Sequence, residues 1–193
     1  MTATAEVQPL FSPLPLHRQL MWWTVAFPVV MIVALVERSF YLLNWIHVLS
    51  GALWTGADLF MGFVLGPVLR SLDMRARTAV IAYLVPRTLL YFPMVSLTTG
   101  TAGWLLASWL GFLVPGHAQF PWAIVALALV TIMTIQGLGV MLPNSLRIWS
   151  ELRLPEPDRE RIVRLNRTNI VLAGVQGVMQ VVIIVVMAHF VVG

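Results

Sequence analysis

The sequence predicts an all-α, polytopic membrane bundle, and three observations predict it. Hydrophobic residues make up 59% of the 193 residues and charged residues only 10%, where a soluble domain carries about 25% charge. The apolar residues fall in runs close to the roughly 20 residues that a bilayer span needs. The basic residues, all twelve of them Arg, lie between the runs rather than inside them. Mean hydropathy is +0.87. The chain has no Cys, which excludes disulfides, Cys-ligated zinc, iron–sulfur clusters and thiol catalysis. It has no Lys, which excludes Schiff-base chemistry and Walker phosphate loops. No Ser–His–Asp set or paired-carboxylate site can be assembled, so the sequence names no enzymatic reaction. Nor does the net charge of +4, carried by connections between apolar runs, call for nucleic acid.

One domain, 1–193, with five spans is expected, at about 20–36, 40–69, 88–114, 121–142 and 170–192. The first 19 residues hold Glu6, Pro9, Pro13 and Pro15 with a single Arg. They lack the basic start of a cleaved signal peptide, so the first span is expected to stay as an anchor. Little more than Glu37-Arg38-Ser39 separates spans one and two, which implies a tight helical hairpin. Residues 73–86 mix Arg with Val, Ile, Ala and Leu and read as an interfacial helix ahead of span three. Pro157-Asp158-Arg159-Glu160 has Pro at the first turn with acids beside it, a helix start that would feed span five. Gly103, Ala107 and Gly111 recur every four residues on span three, as do Ala173 and Gly177 on span five. Small residues at that spacing let helices approach closely.

Orientation follows from the Arg residues. Arg18, the four Arg between spans two and three, and the six between spans four and five lie on one side, with only Arg38 on the other. The Arg-rich side is expected to face the cytoplasm. That puts the N-terminus inside and the C-terminus outside, in a bacterial cytoplasmic membrane. Trp22 and Trp23 at the inner boundary, and Trp104, Trp109 and Trp122 at the outer one, fit interfacial anchors.

Polar residues inside a span are costly and each needs a reason. Span two holds the densest set: Asn44, His47, Trp54, Thr55 and Asp58. At 100° per residue His47, Gly51, Trp54 and Asp58 form one stripe, with Asp58 about 16 Å nearer the cytoplasm than His47. His47 has two readings. It is a ligand for haem iron, copper or zinc, or it is bonded to a carbonyl or hydroxyl of a neighbouring helix. As a haem ligand it would have Gly51 as a bare patch for a flat macrocycle and Trp54 at the macrocycle edge. A second ligand would come from His189, near the outer end of span five, or from His117 in the outer loop; His17 is on the wrong side. Arg38, the only outer Arg, would pair with a haem propionate or simply cap the hairpin beside Glu37. Asp58 is a proton-relay or ion site, or a structural acid satisfied by Thr98 and Thr99. Gln136, Gln176 and Gln180 read as interhelical hydrogen-bond partners or as a polar pathway. The ten Met are scattered singly, as apolar filling or as soft ligands for copper(I).

The stretch Asn44-Trp45-Ile46-His47-Val48-Leu49-Ser50-Gly51-Ala52-Leu53-Trp54-Thr55-Gly56 reads H-x3-G-x2-W-x-G. It resembles the histidine helix in the membrane domain of membrane-bound urate oxidases, and in copper-resistance protein D-like and haem-containing integral membrane families. The likeness covers about 43–70 and the general layout of spans. It implies that His47 serves b-type haem or copper. The urate oxidases of this type also carry a cytochrome c-like domain with C-x-x-C-H, which a chain without Cys cannot have, so any haem here is non-covalent. The leading expectation is a haem b membrane protein in electron transfer, acting as a subunit or partner of a redox protein or as a homo-oligomer. The alternatives are a copper or proton transporter or metal-delivery protein using His47, Asp58 and Met, and a cofactor-free structural subunit.

Overall fold

The computed structural model describes residues 15–192, with side chains to residue 190; Glu6, Pro9 and Pro13 lie outside the described residues. Every regular element among the described residues is helical. A short apolar helix, α1 (Trp22–Val36), precedes four that are long and apolar enough to cross a membrane: α2 (Phe40–Ser71), α3 (Met74–Trp109), α4 (Phe120–Leu152) and α5 (Arg159–Val192). Large apolar side chains stand exposed along them, among them Ile32, Trp45, Val48, Ile135 and Val185. A helix apolar on its outward faces belongs in a lipid solvent.

The four long helices have 32, 36, 33 and 34 residues, or about 48 to 54 Å each. They outrun a hydrocarbon layer of about 30 Å. The surplus lies at the Arg-rich end and carries a second core of Ile81, Ala82, Val85, Ile148, Leu152 and Ile162. The main core, with Leu43, Ile46, Trp54, Val95, Met133 and Ile183, fills the rest of the bundle. Residues 73–86 are therefore not a separate interfacial helix. They are the first turns of α3, which runs through Pro86 and Pro93 without a break. The span expected at 121–142 likewise continues through Pro143 to Leu152, and the one expected at 170–192 begins at Arg159.

Two prolines are met by a widened turn. Residues Phe60–Leu65 and Gly137–Met141 are π-helical, and each widened turn closes on the residue just before a Pro: Gly66 N–H bonds Met61 O ahead of Pro67, and Leu142 N–H bonds Gly137 O ahead of Pro143. A Pro ring clashes with the carbonyl four residues back, and a π turn moves that carbonyl aside. The first widened turn also brings Gly62 against α5. A Cβ built on Gly62 would fall 2.4 Å from Gly174 Cα, so the two backbones touch.

Local signals set the ends. Ser39 caps α2, accepting from Leu42 N–H; Asp73 caps α3, accepting from Ala76 N–H at 2.9 Å. The helix start expected at Asp158 is present, since its carboxylate accepts from Arg161 N–H at 2.9 Å. Glu151 ties the α4–α5 turn shut through Arg161 at 3.0 Å and the Asp158 N–H. The α1–α2 hairpin closes on Arg38 with φ 51°, as Arg38 N–H bonds Leu35 O and Ser39 N–H bonds Ala34 O. Gly111, with φ 74°, ends α3 the same way. It therefore makes a turn, not a helix contact.

The first expected span falls short. α1 has 15 residues, about 22 Å. Trp23 in its first turn lies edge-on to Tyr91, whose hydroxyl donates to Leu53 O at 2.9 Å, so α1 starts level with the middle of α2.

Candidate cofactor site

The polar stripe of α2 faces inward: His47, Ser50, Trp54 and Asp58 are all buried. His47 sits about 10 Å along α2 from Phe40, opposite Thr99 of the antiparallel α3. Its Nδ1 lies 2.9 Å from Thr99 O. A carbonyl only accepts, so Nδ1 carries the proton and Nε2 keeps its lone pair. The strand of contacts around it is continuous. The Thr99 hydroxyl lies 2.8 Å from Ser50 Oγ and 2.7 Å from Val95 O, which fixes the turn of α3 that holds the imidazole. The ring rests on Gly103, where a Cβ would come within 2.7 Å of Cε1. Among the described residues Nε2 has no hydrogen-bond partner.

Beside the ring is a cavity of about 510 Å³, bounded by Asn44, His47 and Val48 of α2, Gly100, Gly103 and Trp104 of α3, Ala126 and Val130 of α4, and Ile183 and Met187 of α5. Its walls are largely apolar, with Asn44 one turn from His47. The volume falls within the roughly 300–1,000 Å³ of ordinary ligand pockets. An imidazole whose far nitrogen is tied to a backbone carbonyl and whose near nitrogen is free is the standard preparation of a metal ligand. The structure shows the reading in which His47 bonds a neighbouring helix's carbonyl, through Nδ1.

The other expected residues fall elsewhere. His189 stacks its ring 4.4 Å from that of Trp122 and does not line the cavity. His117 is exposed in the α3–α4 connection, against Phe112 and accepting from Gln119 N–H. Gly51 is not a bare patch beside the cavity, because it packs on the Thr99 methyl. Trp54 turns toward a second cavity nearer the Arg-rich end. Arg38 is exposed in its hairpin turn.

Asp58 is fully buried, and Thr98 and Thr99 do not satisfy it. Thr99 serves the His47 level and Thr98 Oγ1 has no partner. The antiparallel register explains this. Leu53 already faces Tyr91, so Asp58 faces a still earlier part of α3. Its partner comes from α5 instead: Gln180 Nε2 donates to Asp58 Oδ2 at 3.0 Å. Gln176 does act as interhelical glue, donating to Met133 O at 2.9 Å.

Four contributors escaped the sequence reading: Gly103, Gly100, the Thr99 carbonyl and Met187. The pair Gly100/Gly103 was visible as two bare positions three apart, but which neighbour fills such a gap depends on the register of two helices. Compared with known proteins, the chain matches no family model, no curated protein and no solved structure.

Proposed function

We propose that the chain is a haem b-binding protein of the bacterial cytoplasmic membrane, with His47 as an axial ligand, that exchanges electrons with a partner redox protein. One observation carries the proposal. His47 is locked by its Nδ1–H to the Thr99 carbonyl and lines an apolar cavity of about 510 Å³. The excess of Arg at one end supports a cytoplasmic placement of that end, which puts the cavity in the outer half of the bilayer. Haem b held there would supply a one-electron couple whose potential follows from its axial ligands and the dryness of its pocket. The chain's own part is to orient the imidazole, to exclude water with apolar walls, and to offer a second ligand. Met187 lines the cavity and offers a thioether; His189, two residues on, is engaged with Trp122. The resemblance of 44–56 to haem- and copper-handling histidine helices points the same way.

Optical spectra of the detergent-purified protein, oxidised and dithionite-reduced, test this. Expected are a sharp Soret band and a reduced α-band, lost in His47→Ala, altered in Met187→Leu and kept in His189→Ala. Protein made with ample haem that shows no haem bands overturns the proposal. The shared cavity of His47 and Met187 favours one second reading, a copper(I) site of imidazole and thioether. Copper content lost in both variants, in a haem-free protein, selects it.

A further inference from the structure

The pair Asp58–Gln180 is short of one hydrogen. Gln180 Nε2 donates to Asp58 Oδ2, while Asp58 Oδ1 and Gln180 Oε1 are both buried acceptors with no partner. Both residues are almost wholly enclosed, at 0% and 4% exposure. A buried carboxylate with a bare oxygen beside a bare amide oxygen is an expensive arrangement. No cation relieves it, since the ion pair among the described residues, Glu151–Arg161, lies at the Arg-rich end. The Trp54 indole of its own helix also donates toward the Asp58 carboxylate, Gln180 of α5 donates to Oδ2 and, further off on α3, stands the Tyr91 phenol; Asp58 Oδ1 and Gln180 Oε1 stay without a close partner. A single proton on Oδ1, if donated to Gln180 Oε1, would satisfy both orphans and close a two-bond acid–amide ring.

The same pair ends a polar stripe. Gln180, Gln176, Asn169 and Asn166 follow one another at steps of four, seven and three residues on α5, which keeps them on one face. Asn169 bonds Met141 O and Ser145 Oγ, and accepts from Asn144. Beside these amides lies a cavity of about 70 Å³, where Asn166, Asn169, Gln176, Thr134 and Ser145 stand among a majority of apolar liners such as Met61, Leu89 and Met141. That is room for a short file of waters with polar partners. It stops at Gln176 and Trp54, each one turn from the Asp58–Gln180 pair.

We propose that Asp58 and Gln180 form a proton-holding pair, in which one proton on Asp58 completes the ring with the amide and exchanges with the Arg-rich side along the cavity beside the amides. The step is proton uptake and release alone: carboxylate plus proton gives the carboxylic acid. It does not depend on what His47 binds.

Infrared spectroscopy of the full chain in lipid nanodiscs at neutral pH tests it. Expected is a protonated-carboxyl stretch that shifts in D2O, is indifferent to sodium and is lost in Asp58→Asn. That variant should fold normally, because an Asn amide supplies the missing hydrogen itself. Gly137→Leu should slow the D2O shift several-fold. Gly137 borders the cavity, has helical φ, and a Cβ there meets only Gln176 Nε2 at 3.8 Å, so a side chain can leave the backbone there and enter the path. Absence of the stretch in the wild-type protein, or its loss on adding sodium, overturns the proton-holding pair. An unchanged shift rate in Gly137→Leu overturns the route.

Discussion

Gly103 decides whether His47 has room. Any side chain there meets the imidazole at 2.7 Å, well inside contact distance, and the Thr99 bond holds the ring against moving away. Gly103→Val should leave a folded bundle, by circular dichroism, that has lost whatever His47 binds. Retained binding would show that the ring is not held over Gly103. Arg38 has the opposite character. It occupies a left-handed turn that a non-glycine residue adopts at a cost of about 1 kcal/mol or more, and it is exposed, away from the cavity. Arg38→Gly should therefore raise the thermal midpoint in detergent, by a stabilisation of about 1 kcal/mol. A changed redox spectrum in that variant would instead tie Arg38 to a cofactor. At this scale the sequence was informative about which residues are costly, His47 and Asp58, and misleading about partners, since it offered Thr98 and Thr99 to Asp58 where Gln180 serves. Thr99 is 52 residues from His47 and Gln180 is 122 from Asp58, and such pairings exist only once helices have a register.

The long helices were legible as apolar runs, and of their true lengths only that of α2, expected at 40–69 and found at Phe40–Ser71, was. A Pro inside a run reads as an end because it removes a hydrogen bond and crowds the preceding turn. Here α3 carries Pro86 and Pro93 internally, and α2 and α4 absorb Pro67 and Pro143 with widened turns. Such turns leave no composition signal of their own. Caps, by contrast, are local, and Asp158 announced α5 correctly. The widened turn in α2 is also where α2 and α5 lie closest. Gly62→Ala puts a methyl 2.4 Å from Gly174 Cα, while Gly139→Ala, in the second widened turn, meets nothing within 4 Å. Gly62→Ala is expected to cost about 1–3 kcal/mol as overpacking and Gly139→Ala almost nothing. Equal unfolding midpoints for the two would contradict the backbone contact.

For the whole molecule, the inward-facing stripe, the basic end and the hairpin could be read from spacing and charge. The cavity could not, because it is what four helices leave between them. Its position relative to the membrane rests on orientation, and the chain suits a direct check. With no native Cys, single replacements report without background. A membrane-impermeant maleimide applied to intact cells stripped of their outer membrane should label Arg38→Cys. Arg75→Cys and Arg153→Cys should react only after lysis. The reverse pattern would turn the molecule over and put the His47 cavity in the inner leaflet.

The brevity of α1 bears on the lipid around it. Its neighbours cross a full hydrocarbon thickness, but α1 begins level with Leu53, at a pair of indoles, Trp22 and Trp23, more than half exposed. Indoles favour the headgroup boundary, and a short apolar segment is accommodated by thinning of the adjoining bilayer. On that flank the basic leaflet must dip toward the protein, giving the bundle a lopsided collar of lipid. Hydrophobic mismatch of this kind gives the molecule a preference among membranes of different thickness, set by one helix that buries Phe27 and Ala34 in the core and packs Val30, Met31 and Leu35 against it.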